Sequence, residues 1–164
     1  MILLSSRFDT PLGVLGLLWD EHGAVRQLVW PDHALPSSRA VEAAAGHPAI
    51  AALQHWLADH RRLPGFPLDL TGTPFQQRVW RALADLPAGT TVSYAGLASR
   101  IGQPTAVRAV ASAVARNPVP LLLPCHRVVG SKGEMTGFSG GLERKRWLLR
   151  HEGLRLSARG DRLD

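Results

Sequence analysis

The sequence is short of cysteine, of long apolar runs and, in its second half, of acidic charge, and each shortage excludes something. One cysteine, Cys125, among 164 residues cannot close an intramolecular disulfide or build a multi-cysteine zinc site, so its chemistry is that of a thiol. No apolar run approaches the ~18 residues that span a bilayer. The opening Met1-Ile2-Leu3-Leu4-Ser5-Ser6-Arg7 lacks the basic start and apolar stretch of a secretory signal, so the expected location is intracellular and cytoplasmic, with no membrane partner. Hydrophobic residues at 45% and charged residues at 20% sit near the averages of folded soluble chains, which excludes collagen-like, low-complexity and disordered classes. The length suits one domain, or two small ones, at roughly 100–200 residues per domain.

The shortage of acid is local. Residues 1–69 hold 5 Lys+Arg against 7 Asp+Glu, a balance of −2, whereas residues 70–164 hold 14 against 6, a balance of +8. Only Lys132 and Lys145 among those fourteen are lysine, and arginine's rigid fork suits phosphate better than an ammonium does. Such an excess reads either as a footprint for nucleic acid or another polyanion, or as a solvated basic surface.

The fold class expected is α+β, with an N-terminal α/β domain over residues 1–69, a mainly helical domain over 70–153 and a flexible tail over 154–164. Ile2 to Phe8, Leu12 to Trp19 and Ala24 to Trp30 are β-compatible, and the Asp20-Glu21-His22-Gly23 turn predicts an antiparallel hairpin. A polar stretch from Pro31 to Ala45 precedes a helix over Ala49 to Asp59, opened by Pro48, with Ile50, Leu53 and Leu57 on one face. Breakers in Arg61 to Pro67 mark the boundary, placed near Leu68 to Thr73. Thr73-Pro74 then caps a helix with a Phe75, Val79, Ala82 and Leu86 stripe. Ser93 caps a short helix, Tyr94 to Arg100. After Gly102, Pro104 and Thr105 start another, with Val107, Val110 and Val114 recurring. Two helices joined so briefly fit a helix-turn-helix, and equally any helical hairpin. The second helix exposes Arg108, Ala111, Ser112 and Ala115, small residues suited to close approach rather than to reading base edges in a major groove.

Asn117-Pro118 ends that helix, and the apolar Val119 to Leu123 leads to Pro124-Cys125-His126-Arg127-Val128. Alone, a cysteine after an apolar run reads as buried and inert. Its cationic neighbours read differently, since they favour the nucleophilic thiolate. Adjacent side chains seldom point at each other, so His126 would reach Cys125 through a water, with an acid needed to orient the imidazole. The Gly137-Phe138-Ser139-Gly140-Gly141 loop could admit a flat ring against Phe138. A final helix, Leu142 to His151, buries Leu142, Leu148 and Leu149.

Pro124-Cys125-His126-Arg127-Val128, with Asn117-Pro118 before it and Thr136-Gly137-Phe138-Ser139-Gly140-Gly141 after it, resembles the active-site region of the O6-alkylguanine-DNA alkyltransferases, the methylated-DNA-protein-cysteine methyltransferases. Gly72 to Trp80, Ser93-Tyr94, Arg108-Ala109-Val110 and Trp147 to Gly153 resemble that family's other landmarks, in its order. The likeness is dense from Leu70 to Gly153 and general before it, where it implies a ribonuclease H-like fold.

The resemblance implies that Cys125 takes an alkyl group irreversibly from guanine O6 in duplex DNA, and by extension from O4 of alkylthymine, one turnover per molecule, without cofactor. His126 would be the base acting through water, Glu152 the carboxylate orienting it, and Asn117 the bridge between the helical pair and the active-site segment. Tyr94 and Arg108 would rotate the nucleotide out of the stack, with Thr105, Ala109, Ala111 and Ser131 at further DNA-contact positions. Tyr94, Val128, Phe138 and Ser139 would line the alkylguanine pocket. A monomer that clusters along DNA is the implied assembly. Phe138 stands where many members carry tyrosine and Ala111 where many carry glycine. The N-terminal cysteines that bind zinc in some members are missing, so no structural metal is expected. Three other readings stand beside this one: a non-catalytic alkyltransferase-like lesion binder, which typically lacks the acceptor cysteine; a sequence-reading regulator; and a cysteine hydrolase that turns over.

Overall fold

The structure, a computed structural model, describes residues 1–35, 40–43 and 45–164. The chain divides into two compact units, Met1–Thr71 and Gly72–Asp164. The tail expected to stand apart over 154–164 belongs to the second.

In the first unit, strands β1 (Leu3–Thr10), β2 (Gly13–Asp20) and β3 (Val25–Val29) pair antiparallel, and β4 (Ala40–Glu42) joins parallel to β1, giving the order β3-β2-β1-β4. The sheet is therefore mixed rather than antiparallel throughout. β4 lies within the stretch anticipated as merely polar, part of which falls outside the described residues. Its three residues gain their conformation from pairing with β1, a non-local cause that periodicity does not reveal. β2 is buried from Leu15 to Asp20, as expected of a strand covered on both faces. At its end Asp20 accepts hydrogen bonds from the His22 and Ala24 N–H groups, closing the turn through Gly23 at φ 85°.

Helix α1 (Pro48–Asp59) starts at His47, whose Nδ1 accepts from the Ala49 N–H at 3.0 Å. It buries Leu53, Trp56 and Leu57. Trp56 takes the place anticipated for Ile50, which is half-buried. The breaker-rich segment after it is tied to β3 by Val25 N–H to Pro67 O and Asp69 N–H to Val25 O bonds.

The second unit opens with α2 (Pro74–Ala84), capped reciprocally by Thr73 and Gln76. Its buried face is Val79, Trp80 and Leu83, continued by Leu86, rather than the Phe75 and Ala82 stripe. The Trp80 indole N–H donates to Ala113 O at 2.9 Å. α3 (Tyr94–Arg100), capped by Ser93, connects through Gly102 at φ 75° to α4 (Val107–Ala115). α4 begins at Val107, not at Pro104 and Thr105, which lie in a turn closed by the Ala106 N–H on Gln103 O.

Two-residue strands β5 (Val92–Ser93) and β6 (Val128–Val129) pair parallel. They bring the start of α3 beside the segment that follows Cys125. α5 (Leu142–His151) closes the unit. The segment after it does not fray. Leu154, Leu156 and Leu163 pack on a core of Val129, Met135 and Leu149. Met135 N–H donates to Asp161 O, and Leu163 N–H to Gly133 O, both at 2.8 Å. Among the described residues no helix is long and apolar enough to cross a membrane.

Candidate active site

Cys125 opens a 3-10 turn, Cys125–Arg127, and is buried together with His126. The run before it turns tightly. Leu123 N–H bonds to Val119 O, and Leu121 takes φ 74°, a left-handed backbone that a leucine adopts only under constraint. Asn117 supplies the constraint, accepting from Val119 N–H at 3.0 Å and donating from Nδ2 to Leu123 O at 2.8 Å. It thereby ties the end of α4 to the residues that deliver the thiol.

His126 has no exposed side-chain surface, and its Nε2 meets Glu152 Oε1. Glu152 caps the end of α5 with only 2% of its side chain exposed. It is held by more than the histidine. Arg127 Nε donates to both carboxylate oxygens at 2.9 Å, Arg127 Nη1 also bonds Leu86 O, and the Gly89 N–H donates to Oε2 at 3.3 Å. Burial alone would raise this carboxyl, but the bonds from His126 and Arg127 outweigh it and hold it at about 2. Burial pushes the imidazole the other way, below its ordinary value, against the opposing pull of Glu152. At neutral pH the carboxylate is charged and the ring neutral. Since Nε2 carries the proton given to Glu152, Nδ1 is the basic nitrogen.

The thiol departs from expectation. Burial pushes Cys125 up to about 11, against a hydrogen bond from Asn117 and the charge of Lys145. The neighbouring groups bring no charge to bear on it: the Arg127 guanidinium is committed to Glu152, and burial keeps the His126 ring neutral. The cation that acts on the sulfur is Lys145. It is fully buried in the middle of α5, with Nζ donating to Val128 O at 2.6 Å and to Thr136 O at 3.2 Å. Burial lowers it to about 8, and the thiol's charge would pull it back up.

Tyr94, at the first position of α3, is half-buried and receives a hydrogen bond from Thr136 Oγ1 at 3.0 Å. The structure thus gathers Cys125, His126, Glu152, Asn117 and Val128 with Arg127, expected to act on the thiol and bound instead to Glu152, and with Lys145, given no site role by the sequence, and links Tyr94 to the same framework through Thr136. Arg108 and Ala109 are exposed on α4 and Ala111 is half-buried there. Thr105 and Ser131 are exposed in turns, and half-buried Phe138 and exposed Ser139 lie in the loop before α5. Lys145 had a sequence signal, being a lysine three residues after Leu142 and three before Leu148 on the apolar face of α5. No three His, Cys, Asp or Glu side chains among the described residues gather as a metal would require.

A family model described as the DNA binding domain of 6-O-methylguanine DNA methyltransferase matches residues 74–154. A methylated-DNA–protein-cysteine methyltransferase of Shigella flexneri is 38% identical over 167 residues, spanning 92% of this chain and 96% of its own. The chain belongs to the methylated-DNA–protein-cysteine methyltransferases. A Mycobacterium leprae member of that family is 42% identical over 148 residues, 88% of each chain. The crystal structure of Mycobacterium tuberculosis OGT in complex with DNA aligns with a TM-score of 0.83 at 37% identity, covering 92% of this chain and 93% of that one. Against this methyltransferase family, the single cysteine stands beside a buried histidine and carboxylate in one half of the chain.

Proposed function

We propose that this protein repairs O6-alkylguanine in double-stranded DNA by direct reversal, with Cys125 as the acceptor. The observation that carries the reading is the buried set of one thiol, a neutral imidazole and a charged carboxylate within a chain of this family. His126 Nδ1 takes the thiol proton through a water. Sγ attacks the alkyl carbon in line as the carbon–O6 bond breaks, and the departing guanine recovers a proton on its ring. Glu152 orients the imidazole and balances its transient positive charge, as a general base's partner must. Because a thioether has no ready reverse path, each chain reacts once.

The thiol at about 11 belongs to the resting site, and Lys145 supplies the nearby positive charge that offsets thiolate formation as proton transfer begins. A lesion binder that transfers nothing typically lacks the acceptor cysteine, and Cys125 is present.

We assign α3 and α4 as a helix-turn-helix whose second helix enters the minor groove. Exposed Ala109, Ser112 and Ala115 suit close approach, and Arg108 fills the space vacated by the flipped base, aided by Tyr94. Thr105, Ala111 and Ser131 extend the contact, while Val128, Phe138 and Ser139 line the base pocket. The strand order β3-β2-β1-β4, antiparallel with one parallel member, accords with a ribonuclease H-like first unit. The protein acts as a monomer at cytoplasmic or nucleoid DNA and clusters along it. O4-alkylthymine is a second substrate.

A duplex whose restriction site is blocked by one O6-methylguanine tests this. Incubation with an equimolar amount of protein should restore cutting, and a tenfold excess of duplex should leave about nine-tenths uncut. No restoration, or complete restoration of the excess, contradicts direct, single-use repair.

A further inference from the structure

Tyr94 is the chain's only tyrosine, and its phenol is held by a residue with no role in the scheme above. Thr136 Oγ1 lies 3.0 Å from Tyr94 Oη, as donor to the phenol oxygen. A phenol oxygen that receives a proton from one side has its own O–H directed elsewhere.

Thr136 is itself fixed on both sides. Its carbonyl accepts from Lys145 Nζ, the ammonium that also bonds Val128 O, so Thr136 is tied to the strand that follows Arg127. Before it, Met135 is buried against Val129 and Leu149, and its N–H donates to Asp161 O. The returning C-terminal segment thereby holds the backbone that presents the Thr136 hydroxyl.

We propose that Thr136 is a positioning residue for alkyl transfer: its hydroxyl holds the Tyr94 phenol so that the phenol proton points at the acceptor nitrogen of the departing base. This rests on the reading of Cys125 as acceptor and Tyr94 as a pocket residue. The gain is preorganisation, since a donor already aimed where negative charge develops needs no reorientation during the reaction. Loss of one neutral hydrogen bond of this kind corresponds to a rate loss of about 3–10-fold.

Single-turnover alkylation of Cys125 by free O6-benzylguanine, followed by intact mass over a concentration series, tests it in the full chain. Thr136→Val keeps the branched shape and removes the hydroxyl. It should lower the maximal rate by about 3–10-fold, leave the half-saturating concentration within about twofold, and still reach one alkyl group per chain. That endpoint separates slow transfer from a misfolded fraction. Thr136→Ser should recover most of the rate. In a Tyr94→Phe background, Thr136→Val should add no further loss. An unchanged rate in Thr136→Val, failure of Thr136→Ser to restore it, or an equal further loss in the Tyr94→Phe background overturns the proposal. Failure of the wild-type chain to take any alkyl group instead overturns the reading of Cys125, and the proposal with it.

Discussion

Arg127 faces Glu152 so that its Nε is 2.9 Å from both carboxylate oxygens. The carboxylate that orients His126 is therefore itself oriented, and by the residue next to that histidine in the chain. Arg127 and Glu152 expose 11% and 2% of their side chains, so the pair is not a surface ion pair of little consequence.

Removing one partner of a buried pair leaves the other charge stranded, which costs about 3–5 kcal/mol. Arg127→Gln should lose stability on that scale in urea unfolding at pH 7, and its transfer rate to Cys125 should fall by about 10-fold or more as His126 loses its fixed partner. A loss below ~0.5 kcal/mol, the range of ordinary surface changes, with an unchanged rate, would show that the guanidinium is incidental.

Acid should destabilise the protein through this site. The folded-state value of Glu152 is about 2 against an ordinary 4.5, and that of His126 lies below its ordinary 6.5. Both are depressed, so the unfolded chain binds more protons, and their contribution is present at pH 7 and lost as pH falls. The urea midpoint should decline from about pH 6.5 downward. In Glu152→Gln the part of that decline between about pH 5 and 2 should shrink relative to wild type. A midpoint that rises on acidification runs against the assigned charges.

Cys125 should be slow with ordinary alkylating reagents. With burial holding the thiol at about 11 rather than 9, iodoacetamide at pH 8 should label the native chain at least about 100-fold more slowly than the urea-unfolded chain, in line with the thiolate fraction and access. Equal rates would mean an open, ionised thiol.

The site residues were legible through ordered motifs that resemble the family's, and the elements that carry them through local signals. The Thr73-Pro74 and Ser93 caps and the 142–151 helix follow from residues close together in the chain, whereas the reciprocal bond from Gln76 emerged only in the structure. What was not legible depends on distant partners. Ala40–Glu42 becomes a strand only against β1. Leu156 and Leu163 hold the last residues down because Met135 and Leu149 wait for them, whereas the surrounding arginines and glycine suggested fraying. The thiol differs from its expected state for a related reason: His126 and Arg127 follow it directly in sequence, yet both turn to Glu152, and the charge it feels comes from Lys145, twenty residues on.

Arg108, exposed on α4 and proposed to fill the space left by the flipped base, offers a test that distinguishes duplex chemistry from base chemistry. Arg108→Ala should slow repair of O6-methylguanine in duplex DNA by about 10-fold or more while leaving reaction with free O6-benzylguanine nearly unchanged, because only the duplex leaves a gap when the base flips. Equal losses on both substrates would assign the residue to folding.

The central claim is that Cys125 itself becomes the product. Intact mass and peptide mapping after incubation with duplex containing O6-methylguanine test it most directly. The account predicts one added methyl group per chain, confined to Cys125, and none in Cys125→Ser, whose hydroxyl is a far weaker nucleophile at neutral pH. Demethylated duplex alongside an unmodified Cys125, or methylation of Cys125→Ser at another residue, would contradict it.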